Sequence, residues 1–364
     1  MMAESKPWQC ALDLIQTSRY NRYFPYYTLF GSVWSTLIAG SLRLKAADSS
    51  ISIEHILKQA TLCAIHCLLL CGAGNTWNDL VDRAIDARVA RTQARPIASG
   101  RVSTPIALAW MASQYALSVN ILDRVLDGQK NWSIMLPLTG IIIIYPWLKR
   151  PVFSRVYIYP QYILGLALGY PAITGWASIN GREQLAAEIV GHCAPIILLV
   201  FFWCFYFNTA YSFQDVVDDR KMKVNSAYVL AGRHIRLFLS VLCILTLLTI
   251  PSVVSKVGSP WLWFSWMGVW SCALVKQMLQ FDSENPASGG RVHWENFVLV
   301  DFGCLYRGYM SPSDRAKGQV GEGRGRYGVA RAVFEEHKSD KSLQALEENN
   351  SGLPGEVSSF NIQK

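Results

Sequence analysis

The run ATLCAIHCLLLCGAGNTWNDLVDRAIDARVARTQARP, Ala60 to Pro96, holds the two facts that decide the fold. Its first half is almost wholly apolar. Its second half crowds carboxylates and guanidinium groups against the end of that apolar run. A stretch of about 17–25 apolar residues crosses a bilayer as a helix, because the helix satisfies its own backbone groups in lipid. The helix predicted here covers 56–77. It ends in charge at a membrane boundary, where ionisable groups are costly and usually functional.

Similar apolar runs predict helices at 25–42, 104–122, 132–148, 157–177, 189–213, 234–254 and 259–279, with a ninth starting near Trp294. The fold expected is an all-α integral membrane bundle of eight to nine transmembrane helices. Residues 1–24 form an N-terminal cytosolic segment, 25–310 the membrane domain and 311–364 a polar tail. The chain is 51% hydrophobic and 16% charged, against roughly 25% charged in soluble domains, and no room remains for a large soluble domain. After Val300 the apolar pattern is interrupted by Asp301 and Arg307. The 54 residues from Ser311 include 16 charged ones, a composition of disordered chain dispensable for chemistry.

The net charge of +8 suggests nucleic acid only in a soluble protein. Here the cations sit in loops, so the partner is the lipid bilayer and no nucleic acid is expected. Loops after even-numbered helices hold 13 Lys or Arg and the opposite side 7. The positive-inside rule places the 13 in the cytosol. The N-terminus lacks both a signal h-region and the Arg-rich, acid-free character of a transit peptide. The expected location is the endoplasmic reticulum or another endomembrane, with the active-site loops cytosolic.

Two loops break the pattern: Asn75 to Gly100, and NTAYSFQDVVDDRKMKVNS from Asn208 to Ser226. At about 100° per residue, Asn78, Asp82 and Asp86 stack on one helix face with Asp79 beside them. Asp215 and Asp219 stack likewise with Asp218 alongside, and Asn208 and Tyr211 continue that face toward the membrane. Like charges so arranged repel and need a cation. An all-oxygen donor set suits Mg²⁺, Ca²⁺ or Mn²⁺, and Mg²⁺ typically takes one or two carboxylates plus waters and phosphates. Two facing clusters would grip a diphosphate from two sides, with Arg91, Arg95, Lys149 and Arg150 neutralising the remaining charge.

With these residues placed, the chain resembles the UbiA superfamily of membrane prenyltransferases. Asn78, Asp79, Asp82 and Asp86, then Arg91, Thr92, Arg95 and Pro96, match its first motif. Tyr211, Gln214, Asp215, Asp218 and Asp219 match the second; Tyr145, Pro146, Lys149 and Arg150 match a Y-P-x-x-K-R loop, and Arg19 and Arg22 an R-x-x-R segment. The resemblance covers about residues 19–300. It implies a helical bundle around a central cavity open toward lipid, with Mg²⁺ as cofactor. It implies Asn78, Asp79, Asp82, Asp86, Asp215, Asp218 and Asp219 at the metal, and Arg19, Arg22, Arg91, Arg95, Lys149 and Arg150 on the diphosphate. Asp82, Asp215, Asp219, Tyr211 and Asn208 are the catalytic candidates, the last two on the acceptor side. SRYNRYFPYY and ASGGRVHWENF resemble fungal meroterpenoid-pathway enzymes, implying farnesyl diphosphate as donor and an aromatic polyketide, a phenolic acid or pyrone, as acceptor. Lys223 and Asn225 stand where family members often have Gly and Lys. This implies one diphosphate contact fewer and predicts that Asn225→Lys preserves or improves activity.

A 4-hydroxybenzoate polyprenyltransferase of quinone biosynthesis predicts a mitochondrial address, and a transporter predicts isolated mid-bilayer charges and inverted repeats; neither pattern is read here. Cys63, Cys67 and Cys71, and Gly165 with Gly169, read as helix-packing residues. His66 and His192 read as hydrogen-bonded structural residues. Trp203 and Phe207 are expected to line the bundle or face lipid, where their bulk limits prenyl length. The sequon at Asn131 hugs a helix too closely to be modified, and a second stands at Asn349.

Overall fold

The computed structural model describes residues 7–48, 50–128, 132–181 and 186–295, and every regular element among them is helical. In chain order these are α1 (Pro7–Thr17), α2 (Phe24–Tyr27), α3 (Leu29–Lys45), α4 (Ile53–Val81), α5 (Arg83–Asp86), α6 (Thr104–Val125), α7 (Trp132–Ile144), α8 (Pro160–Gly169), α9 (Pro171–Asn180), α10 (Ala186–Ser212), α11 (Val216–Met222), α12 (Ala227–Ala231), α13 (Ile235–Val254), α14 (Pro260–Gln280) and α15 (Ser288–Glu295). The 3₁₀ turns Tyr145–Lys149 and Pro151–Val156 follow α7, and Phe213–Asp215 joins α10 to α11.

The eight apolar runs from 25 to 279 each find a helical rod. Among the described residues, Ile53–Val81, Trp132–Lys149, Pro160–Asn180, Gly191–Met222 and Ala227–Val254 are long and apolar enough to cross a membrane. Helices α3, α6 and α14 pack among them. The span predicted at 157–177 is not one straight helix. It breaks between α8 and α9 because Pro171 has no N–H to donate and its ring crowds the preceding turn. The predicted ninth helix coincides with α15 only as far as Glu295. Its continuation, Asp301, Arg307, the boundary at 310, the tail and the sequons at Asn131 and Asn349 lie outside the described residues.

Leu136, Leu237, Ile244, Leu248, Phe264 and Leu279 point outward and are exposed. So much outward apolar surface suits lipid rather than water. Inside, Tyr27, Phe30, Trp203, Phe207 and Trp270 form an aromatic core. Tyr27 lies 5.4 Å from both Trp203 and Phe207 in edge-to-face contact, and Trp203 lies 5.6 Å from Trp270, within the range such pairs favour. Trp203 and Phe207 are fully buried there. They pack inside the bundle and neither face lipid nor line the central cavity, which removes the basis for the chain-length role expected of them.

Small residues set the helix spacing. A Cβ on Gly169 would stand 2.9 Å from the Ile197 carbonyl oxygen, and one on Gly165 would stand 2.8 Å from the Phe201 ring. The α8–α10 approach therefore requires glycine, as the G-x-x-x-G spacing suggested. Gly169→Ala presses on backbone rather than on a movable side-chain tip. Overpacking of this kind costs about 1–3 kcal/mol, and the expected result is a melting temperature in detergent several degrees below that of the parent. Cys63 and Cys67 are buried, and the Cys67 thiol donates to Ser32 Oγ at 3.2 Å, as packing residues would. His66 Nδ1 lies 2.8 Å from Ser118 Oγ, tying α4 to α6, and the His192 ring stacks on Trp176 at 4.2 Å.

Candidate active site

The first acidic cluster sits where α4 passes into α5. The helix pauses at Asp82, yet the i→i+4 ladder survives: Asp82 N–H donates to the Asn78 carbonyl at 2.9 Å, and Asp86 N–H to the Asp82 carbonyl at 2.8 Å. Asn78, Asp82 and Asp86 are thereby stacked, and all are buried, as is Asp79. Each carboxylate receives a cation. Lys149 Nζ donates to Asn78 Oδ1 and Asp82 Oδ2, both at 2.6 Å, and Arg150 Nη1 donates to Asp82 Oδ1 at 3.1 Å. Arg95 Nη1 reaches Asp86 Oδ2 at 2.7 Å and Asp79 Oδ1 at 3.2 Å. Burial pushes the Asp86 carboxyl above the usual carboxylate range; Arg95 pulls the other way, and Asp79 adds to the rise.

Arg19 completes this cluster from an unforeseen direction. Helix α1, absent from the sequence reading, ends in a Schellman turn: Tyr20 N–H donates to the Ile15 carbonyl at 3.1 Å and Arg19 N–H to the Gln16 carbonyl at 3.0 Å. Arg19 occupies the left-handed position at φ 61°, where glycine is usual. A left-handed backbone is costly for any residue but glycine, and such strain clusters at functional sites. Its guanidinium donates to Asn75 Oδ1 at 2.9 Å and Asp79 Oδ1 at 2.8 Å. The neighbours Ser18 and Tyr20 both donate to Gln114 Oε1 on α6, which fixes the turn. The SRYNRYFPYY stretch thus locks Arg19 at its start and feeds Tyr27 into the aromatic core at its end.

The second cluster spans the turn from α10 to α11. Arg91 grips Asp215 with two bonds, Nε to Oδ1 at 2.8 Å and Nη2 to Oδ2 at 2.5 Å, and its Nη1 donates to the Tyr211 hydroxyl at 3.0 Å. Such a fork-to-carboxylate pair is both strong and directional. Asp219 Oδ2 accepts from the Tyr228 hydroxyl at 3.0 Å. The ASGGRVHWE stretch lies alongside: a Cβ on Gly290 would stand 3.2 Å from Gln214 Oε1, so its small residues let α15 press on the second motif.

Between the clusters lies a cavity of about 590 Å³. Its mouth is lined by Asn78, Asp79, Asp82, Asp86, Asp215 and Asp219, by Arg19, Arg22, Arg91, Arg95 and Lys149, and by Tyr211 and Asn208. Deeper, Leu70, Leu138, Ile142, Leu164 and Leu168 make an apolar wall. Two predicted residues lie off the lining. Arg150 stands behind Asp82 and also donates to the Val81 carbonyl at 3.1 Å. Asp218 faces outward, 3.6 Å from Lys221. Arg22 lines the mouth and makes no ion pair among the described residues.

The departures at Lys223 and Asn225 now have structural meaning. Lys223 ends α11 in the left-handed conformation at φ 55°, which explains why glycine suits that position. Asn225 is buried, and its carboxamide is wedged between the carbonyls of Leu148 and Ile158. A lysine there must fit a long charged side chain into a slot built for an amide. Asn225→Lys gives up these two amide hydrogen bonds, and lowered activity in a membrane assay is the outcome this slot favours over the gain expected from the sequence.

Among the described residues no three His, Cys, Asp or Glu side chains converge to cage an ion. The donors present are carboxylates and one amide oxygen, facing each other across a polar mouth. That set fits Mg²⁺ in the mode where waters and substrate phosphates complete the shell.

Apolar helices around an acid-lined, base-flanked cavity define an integral membrane enzyme. Residues 32–299 match the model of the UbiA prenyltransferase family, and the chain belongs to that family. It is 65% identical over 292 residues to the polyprenyl transferase mpaA of Penicillium roqueforti, covering 80% of this chain and 90% of that one. It is 46% identical over 307 residues to the 6-hydroxymellein 5-farnesyltransferase cdmH of Talaromyces verruculosus, covering 84% and 93%. In fold it resembles a UbiA homolog from Aeropyrum pernix K1, with a TM-score of 0.60, 20% identity and coverage of 75% and 96%. A UbiA homolog from Archaeoglobus fulgidus bound to GPP and Mg²⁺ matches with a TM-score of 0.52, 16% identity and coverage of 79% and 99%.

Proposed function

We propose that this protein transfers a farnesyl group from farnesyl diphosphate to an aromatic polyketide-derived acceptor, a phenolic acid or pyrone, in fungal meroterpenoid biosynthesis. The observation that carries the reading is the pair of acidic segments facing across one cavity, each interleaved with cations and set above an apolar wall. The relative whose name specifies farnesylation of 6-hydroxymellein supports both the donor and the acceptor class.

Asn78, Asp82, Asp215 and Asp219, supported by Asp79 and Asp86, would hold Mg²⁺, while Asp218, expected beside them, lies off the cavity lining. When bound, that ion screens the diphosphate and stabilises the charge developing on the leaving group. Arg19, Arg22, Arg91, Arg95 and Lys149 bind phosphate oxygens, and Arg150 holds Asp82 in place. To do so, Lys149 and Arg91 exchange their carboxylate partners for phosphate. The allylic C–O bond then breaks with both electrons going to oxygen. Leu70, Leu138 and Leu164 keep water from the cationic carbon. The acceptor ring, positioned by Asn208 and Tyr211, supplies the π-electron pair for the new C–C bond and afterwards loses its ring proton. Holding the two reactants in line supplies much of the rate. The cation excess in the loops beside this mouth favours a cytosolic orientation in an endomembrane.

Membranes carrying the protein, incubated with Mg²⁺, equal concentrations of geranyl, farnesyl, geranylgeranyl and longer diphosphates and a panel of phenolic acids, test this by mass spectrometry. A farnesylated phenolic product with the highest kcat/KM for the farnesyl donor is expected. Preference for a long polyprenyl donor with 4-hydroxybenzoate would overturn the assignment.

A further inference from the structure

Apart from the acids and cations, the cavity wall holds one buried amide whose bonds all converge on the segment that carries Lys149. Asn225 is 2% exposed. Its Nδ2 donates to the Leu148 carbonyl at 2.8 Å and to the Ile158 carbonyl at 2.7 Å. Its backbone N–H donates to the Lys149 carbonyl at 2.9 Å. Three bonds from one residue thus gather both ends of the stretch from 148 to 158.

Both side-chain neighbours are acceptors, and a primary amide meets them with two N–H donors on one short side chain. Asn225 Oδ1 has no hydrogen-bond partner among the described residues. A buried acceptor left unpaired is unfavourable, so the side chain is oriented by its donors and not by its oxygen.

The gathered stretch is the one whose side chains reach the first acidic cluster. Lys149 Nζ stands 2.6 Å from Asn78 Oδ1 and Asp82 Oδ2, and Arg150 holds the other Asp82 oxygen. Asn225 itself belongs to the second acidic segment, where the preceding N–H of Val224 donates to the Asp219 carbonyl at 2.9 Å. A backbone shift at 148–150 moves both cations, and misplacement by about 1 Å at a reacting site can cost on the order of 100-fold in rate.

We infer that Asn225 is a positioning residue that fastens the Lys149 segment to the second acidic segment and so sets the Lys149 ammonium for the substrate diphosphate. The inference rests on the reading of the cavity as a diphosphate site. It differs from a packing role in one respect: its effect runs through Lys149.

The test is a double-mutant cycle on the full-length purified protein, read as binding of inorganic diphosphate with Mg²⁺ by calorimetry. Asn225→Asp keeps the shape but turns a carboxylate toward two carbonyl oxygens, and is expected to weaken binding about tenfold. Lys149→Gln is expected to weaken it about 10–100-fold, as loss of charged hydrogen bonds does. The double variant should bind within about twofold of Lys149→Gln alone, because coupled residues are not additive. If Asn225→Asp does not survive purification, Asn225→Ala removes the donors without adding charge and carries the same cycle. Multiplied losses in the double variant, or unchanged binding in the single Asn225 variant, overturn the inference. Absence of prenylated product from the unmodified protein would instead sink the proposed reaction and leave the binding cycle readable.

Discussion

Asp82→Asn should lower kcat/KM about 10²–10³-fold, the loss typical of removing one preorganised electrostatic contact, while the protein remains inserted and folded. Asp82 is engaged on both oxygens, with Lys149 on one and Arg150 on the other. Asparagine preserves the shape and one acceptor oxygen but removes the charge. Alanine is a harsher probe: it strips a partner from two partly buried cations, and breaking a buried pair costs about 3–5 kcal/mol. Loss of activity in Asp82→Ala therefore mixes chemistry with stability. Asp215→Ala is cleaner, because its partner Arg91 is one-third exposed and can be rehydrated. The assay is initial rate in membranes, normalised to the amount of inserted protein. Near-parental turnover by Asp82→Asn or Asp215→Ala would remove these carboxylates from the metal site.

The bundle was legible because lipid imposes a long apolar run on each helix. The stack of Asn78, Asp82 and Asp86 was legible because helical period survives the pause at Asp82. What escaped was of three kinds. Helix α1 is short and mixes Trp8, Leu12 and Ile15 with polar neighbours, so it carries no signal on the scale of a membrane span. The left-handed Arg19 was invisible because glycine normally marks that turn, and here a guanidinium that donates to Asn75 and Asp79 stands in its place. The pairing of cations with acids, Lys149 on Asp82 and Arg91 on Asp215, joins residues 67 and 124 apart in the chain. Spacing within one segment holds no information about such pairs. Trp203 and Phe207 show the same limit: an apolar run does not tell which of its faces meets lipid, cavity or core. The break before Pro171 escaped as well, because one apolar run covers both α8 and α9.

Chelation of divalent metal should abolish turnover, and Mg²⁺ should restore it, with a loss on the order of 10³-fold or more set by the Lewis-acid and charge-screening terms of metal catalysis. The mouth itself gives the reason. Asp79, Asp82, Asp86 and Asp215 are each matched by Arg19, Arg91, Arg95, Lys149 or Arg150. The acids and cations of the mouth are close to balance in charge. A polyanionic diphosphate draws Lys149 and the arginines to itself, and each cation that moves leaves a buried carboxylate bare. Bare carboxylates beside phosphate are among the costliest arrangements a buried site can hold. Divalent cations held by these carboxylates would restore that balance. Two measurements follow. Diphosphate binding by calorimetry should be strongly weakened in chelator, and product formation should vanish under the same conditions. Adding back Mg²⁺ should recover both, whereas a softer ion that prefers nitrogen and sulfur ligands should do so poorly at this all-oxygen site. Full turnover in excess chelator would mean that the cations alone carry the diphosphate, and that the acids serve only to hold those cations in place.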